Sequence, residues 1–255
     1  MKRITLLLYS IFVLLLAATA CTQDDAGFLP EGAEGTPIVF TATGLNPAAT
    51  ATAATRAPVD GDWEGVTTVA VQIGSEVKAY RVTPSADRLT ATLSSDDPYY
   101  WKGTDIVTVS AWWPCTDGET TMPAVVVQAD QSGDGYAQSD HIGVAGELLH
   151  YNEGTPTLAF THRTARISLT LSGSTSDVSS VRLTNLSTAD GNPGEIIAHH
   201  AGSGTCDALV APQNVAQGTA FVSISTTGGK TYVYRMQDNA KWTAGKEYEY
   251  AITIE

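Results

Sequence analysis

Beyond the first 20 residues, apolar side chains recur at every second position along most of the chain, and no segment keeps an apolar period of 3.6 residues. This pattern predicts strands throughout. Ile38 and Phe40 alternate early, followed by Val69, Val71 and Ile73, then Leu89, Ala91 and Leu93, then Val107, Val109, Ala111 and Trp113. In the second half Ala165, Ile167, Leu169 and Leu171 are separated by Arg166, Ser168 and Thr170, and Val222 and Ile224 continue the alternation. The last run is the cleanest. Tyr248, Tyr250, Ile252 and Ile254 share one face and Glu249, Ala251, Thr253 and Glu255 the other, so the first four should be buried. Turn signals at Asp60-Gly61, Ser132 to Gly135, Asn192-Pro193-Gly194 and Gly228-Gly229 punctuate these runs.

Roughly a dozen short strands exceed one sandwich of ~100 residues, so the chain is expected to be all-β with two tandem β-sandwiches. The boundary is placed near Asn152 to Pro156, giving an N-terminal domain over 37–154 and a C-terminal domain over 155–255. The stretch Leu45 to Arg56 is dominated by Ala and Thr, has little to pack with, and is expected to be an exposed loop.

The first 20 residues read as a signal peptide. Lys2 and Arg3 precede the apolar run Ile4 to Leu16, and the small residues Ala17, Ala18, Thr19 and Ala20 lead to Cys21. The run falls short of the ~20 residues that span a bilayer. Small residues before a cysteine resemble a bacterial lipobox, with Ala18 where Leu is usual. The resemblance implies cleavage before Cys21, acyl chains on that cysteine, and a lipidated tether over 21–36. At ~0.8 kcal/mol per buried methylene, several acyl chains would hold the protein on the outer membrane essentially permanently. Asp24 and Asp25 resemble the acidic export signal of surface lipoproteins in Gram-negative anaerobes.

Charge and chemistry narrow the function. Net charge is −13, and −15 once Lys2 and Arg3 leave with the signal peptide, while no window clusters more than two basic residues. Nucleic-acid partners are therefore disfavoured. There is no G-x-S-x-G elbow, no H-E-x-x-H, no P-loop and no dinucleotide fingerprint after a strand. His199 and His200 would point to opposite faces of a strand, and His162 falls in register with Leu158 and Phe160, facing inward. Asp96-Asp97 precede Pro98 and read as a turn. Asp130, Ser132 and Asp134 with Gly135 imitate the first half of a calcium loop, but His141 stands where its closing Glu belongs, so a surface turn is preferred. Adjacent Trp112 and Trp113 should face opposite ways, one into the core and the other to a surface or domain contact, with a sugar-stacking platform as the sharper alternative. Cys115 and Cys206 straddle the domain boundary and read as two free thiols. No catalytic residue, cofactor or metal is expected.

An ordered string of motifs covers nearly the whole mature chain. It runs through Cys21, Ile38 to Ala42, Thr55-Arg56-Ala57, Pro98-Tyr99-Tyr100-Trp101 and Ala111-Trp112-Trp113-Pro114. It continues with Asp130-Gln131-Ser132, Gly135-Tyr136, Ser139-Asp140, Leu158 to His162, Ala165-Arg166-Ile167, Ala211-Pro212-Gln213 and Gly245 to Tyr250. In this order they resemble fimbrillin-like proteins, the subunits of type V pili. The resemblance implies transthyretin-like Greek-key sandwiches, export as a lipoprotein, and polymerisation with other pilin subunits. It also implies an arginine-specific protease that removes the first strand. Cutting at Arg56-Ala57, the sole basic site between Cys21 and Lys78, would free the strand around Ile38 and Phe40 and open an apolar groove. Tyr248, Tyr250, Ile252 and Ile254 are the residues of the terminal strand expected to take part in exchange, with that strand integral to the monomer. Stalk, tip and accessory positions stay open. A glycan-binding surface lipoprotein is the alternative.

Overall fold

The computed structural model describes residues 35–45, 61–151, 154–202 and 204–255. Among them no helix is long and apolar enough to cross a membrane. The first sandwich is built from β1 (Phe40–Thr43), β2 (Thr68–Ile73), β3 (Glu76–Pro84), β4 (Ala91–Ser94) and β5 (Val107–Trp113). After the helical turn α1 (Gly135–Gln138) it adds β6 (Ile142–Leu149), β7 (Thr157–Ala159) and β8 (Thr161–His162). These form one eight-stranded sheet in the order β7-β1-β4-β3-β2-β5-β6-β8. It bends around a single core, since Phe40 and Leu158 near one end and Ile142 near the other belong to the same buried cluster.

The second sandwich comprises β9 (Ala165–Gly173), β10 (Val178–Thr184), β11 (Glu195–Ile197), β12 (His199–Gly202) and β13 (Thr205–Val210). It is completed by β14 (Gln213–Val215), β15 (Ala220–Thr226), β16 (Thr231–Arg235), β17 (Ala240–Trp242) and β18 (Glu247–Ile254). Two four-stranded sheets, β11-β10-β15-β16 and β12-β13-β9-β18, enclose one core, to which a β14-β17 ribbon adds Val215 and Trp242. The all-β double sandwich expected from the alternation is what the chain forms.

Period-two reading holds best where one face is buried. Ala165, Ile167, Leu169 and Leu171 of β9 are all buried, and so are Ile252 and Ile254 of β18. It fails at instructive places. Leu89 is 49% exposed because it lies in the β3–β4 turn, next to Arg88 at φ 62°, ahead of the strand proper. Leu45 is fully buried in the first core, so the exposed loop cannot begin there. In β5 the predicted face holds, with Val107, Val109, Ala111 and Trp113 all in or against the first core, and the register shift opposite Val109 to Ala111 is taken up by an extra residue in β6. Trp113 packs against the first core. Trp112 is fully buried on the other face, opposite Ala70, and its Nε1–H donates to Glu119 Oε2 at 2.8 Å. Trp112 is thereby closed to sugar stacking, while Trp113 is partly buried.

The boundary expected at 154/155 also shifts. Leu158 and Phe160 are fully buried in the first core, and β7 pairs in parallel with β1, whereas the buried residues of β9, from Ala165 onward, belong to the second core. The divide lies at Arg163-Thr164. Gly154-Thr155-Pro156 is a genuine turn signal, but local alternation cannot say which sheet the next strand joins. Cys115 and Cys206 are free thiols.

Candidate functional site: the first strand and its slot

β1 is short, yet it lies inside the sheet. It pairs antiparallel with β4, placing Phe40 opposite Leu93, and in parallel with β7, placing Ala42 opposite Leu158. Ile38, Phe40, Ala42 and Leu45 are all 2% exposed or less, so the face predicted from alternation is the buried face. Phe40 meets the Tyr80 ring edge-on at 5.3 Å, and Trp63 meets Phe160 similarly at 5.1 Å beneath it. At ~1.5 to 3 kcal/mol per large apolar side chain, Ile38, Phe40 and Leu45 contribute roughly 5 to 9 kcal/mol as an upper estimate. That matches the order of a whole domain's stability, ~5 to 15 kcal/mol.

The segment before β1 is held by the Pro98 to Trp101 motif. Ile38 N–H donates to the Tyr99 carbonyl at 2.7 Å, and Trp101 N–H to the Thr36 carbonyl at 3.2 Å. Tyr80 joins both strands through one oxygen: its hydroxyl donates to the Ile38 carbonyl at 3.2 Å and accepts from Tyr99 N–H at 2.8 Å. Burial pushes the phenol groups of Tyr80 and Tyr99 up to about 12, so both stay neutral donors at physiological pH. After β1 the chain turns at Gly44, φ 97°, where a Cβ would stand 2.4 Å from the Phe160 carbonyl oxygen. Only glycine fits that crossing.

β18 is the other strand singled out by sequence. It pairs in parallel with β9 over its full length, from Glu247 opposite Arg166 to Ile254 opposite Gly173. Tyr248 and Tyr250 are half-buried. The Tyr248 hydroxyl donates to the Lys241 carbonyl at 2.6 Å, and Tyr250 accepts from Trp242 Nε1–H at 2.9 Å. Along the outer edge, Tyr234 and Tyr232 of β16 donate to the carbonyls of Thr253 and Glu255. The β1 residues and the β18 residues lie in different sandwiches and do not meet. Cys21, Arg56 and Ala57 lie outside the described residues.

The remaining candidates resolve into packing. His162 Nδ1 is 2.9 Å from Oδ1 of the fully buried Asp140. His199 stacks on Tyr136 at 4.6 Å, while His200 approaches the Cys206 sulfur at 3.5 Å. Burial pushes that thiol up to about 11. Asp130 Oδ1 accepts from Ser132 N–H and Oγ, closing a turn. No group of three or more His, Cys, Asp or Glu could hold a metal ion among the described residues. Sequence reasoning missed Tyr80, which falls in none of the alternating runs it singled out, and Gln131, taken as part of a surface turn and in fact fully buried.

A double sandwich whose short first strand lies inside its sheet defines a class of β-sandwich protein. The fimbrillin-like family model matches residues 55–255, and the chain belongs to that family. No curated protein matches it in sequence. Among solved structures, a candidate cell adhesion protein from Bacteroides ovatus ATCC 8483 is similar in fold. Its TM-score is 0.60 at 18% identity, over 87% of this chain and 93% of that one. Another from Bacteroides uniformis ATCC 8492 gives 0.55 at 16% identity, over 86% and 93%. The tip fimbrial protein Mfa3 from Porphyromonas gingivalis, truncated at its C-terminus, gives 0.50 at 10% identity, over 86% and 94%.

Proposed function

We propose that this chain is a structural subunit of a cell-surface type V pilus, a building block and not a catalyst. It is exported to the outer membrane as a lipoprotein through Cys21 and assembled with other pilin subunits by strand exchange. An arginine-specific protease cutting at Arg56-Ala57 releases the segment carrying Ile38 and Phe40. The observation that carries this reading is the interior position of β1. Its loss leaves an apolar slot floored by Leu93, Leu158, Tyr80 and Phe160, flanked by the unpaired edges of β4 and β7. An incoming strand with the same alternation restores both the ladder and the buried face. Family membership supports the same reading, and the matched region begins at Thr55, just before Arg56.

The test is to digest the folded protein with an arginine-specific protease. The expected outcome is a stable fragment beginning at Ala57 that forms a ladder of denaturation-resistant multimers. A fragment that starts elsewhere, or cut protein that stays monomeric, overturns the mechanism. Retention of the uncut monomer on a polysaccharide column would favour the glycan-binding alternative instead.

A further inference from the structure

The connection between β5 and β6 leaves the first sandwich and crosses to the second. Val127 enters the second core, 4% exposed. Its N–H donates to the Gly191 carbonyl at 3.2 Å, and Gly191 is required there, because a Cβ would stand 2.0 Å from the Val125 carbonyl oxygen. The strap then reaches the seam where the chain passes from β11 in one sheet to β12 in the other, at Ala198. There it bonds to both sheets at once. Its backbone extends the first sheet, with Ile197 N–H donating to Ala129 O at 2.8 Å and Gln131 N–H to Ile197 O at 2.9 Å. The Gln131 side chain extends the second: Leu209 N–H donates to Oε1 at 2.8 Å, and Nε2–H donates to Leu209 O at 2.8 Å.

Leu209 lies beyond the last residues of β13 that β12 can pair, since His199 faces Asp207 and the chain has left the sheet by Ile197. Its backbone pair would otherwise be a buried edge without partners. A primary amide offers the same donor and acceptor as a peptide group, so Gln131 stands in for the missing strand residue. Tyr136 of α1 covers the site by packing on Leu209.

We propose that residues 123–141 are a strand complement supplied in cis. The second sandwich borrows its closing segment from the first, Gln131 is the positioning residue that joins both sheets, and the two sandwiches unfold as one unit. The two cores are then joined by more than the short covalent link at Arg163-Thr164. This inference stands apart from the pilus reading and survives its failure.

The experiment uses the full chain and compares calorimetry and amide exchange for wild type, Gln131→Glu and a control, Val126→Ala, whose side chain is 59% exposed. Glutamate is isosteric but carries no amide donor and places a charge in a fully buried position. Wild type and V126A are expected to melt in one transition. Q131E is expected to split off a lower transition and to speed exchange at the Ile197 and Leu209 amides at least about tenfold, with Val71 and Leu93 unchanged. If Q131E yields no folded protein, Gln131→Asn, which keeps the amide but shortens its reach, is read by the same criteria. Two separate transitions in wild type, or Ile197 and Leu209 amides as protected in the variant as in wild type, overturn the proposal.

Discussion

Single side chains anchor the proposed exchange strand, and Tyr80 is the clearest case. Its phenol is neutral in the fold up to about 12 but ionises near 10 when unfolded, so the unfolded chain holds fewer protons between those values. The stability from the buried neutral form is therefore complete below pH 10 and is lost as pH climbs towards 12. We expect unfolding free energy to fall by about 2 to 3 kcal/mol per such tyrosine across that window. Tyr80→Phe should flatten the slope, and equilibrium denaturation at pH 9 and pH 11.5 reads both. Gly44→Ala should cost about 1 to 3 kcal/mol or more, because a positive φ and a clash with Phe160 coincide. A Gly44→Ala protein with an unchanged denaturation midpoint would show that the turn relaxes freely. Arg166 bonds the Asp207 carboxylate, whose side chain is 1% exposed, so Arg166→Ala should lose about 3 to 5 kcal/mol by stranding a buried charge.

Among the elements, β1 and β18 have similar sequence patterns and opposite circumstances. β1 has neighbours on both sides, whereas β18 is a sheet edge whose outer carbonyls at Thr253 and Glu255 are held by tyrosine hydroxyls. Alternation revealed both strands and their buried faces but not this difference, because the neighbours come from distant parts of the chain. A chain truncated after Gly245 would leave the β18-side edge of β9 unpaired and lose Ile252 and Ile254 from the core. At ~1.5 to 3 kcal/mol for each, together with the half-buried Tyr248 and Tyr250, the second sandwich should fail to fold cooperatively. Thermal unfolding checks this. A truncated monomer that melts like the full chain would make β18 a detachable donor and not part of its own domain.

Across the whole molecule, the proposed route begins at the lipid. Cys21→Ser should move the protein from the detergent phase to the aqueous phase in a phase-partition assay, because the proposed acyl chains on Cys21 hold the mature chain on the membrane. Unchanged partitioning would remove the lipoprotein from the mechanism. Strand content, the buried face of β1, β9 and β18, and the family resemblance were all legible in the sequence, since period-two alternation and turn residues act within a few neighbours along the chain. Tertiary structure alone decided that Thr157 to His162 completes the first sandwich, that Leu45 is core, and that Trp112 is buried on the outer face. It alone turned Gln131 from a turn residue into the bridge between two sheets. A side chain's local pattern states which way it points, but what it meets there depends on strands brought together from far along the chain, and hydrogen-bond partners are chosen only at that point.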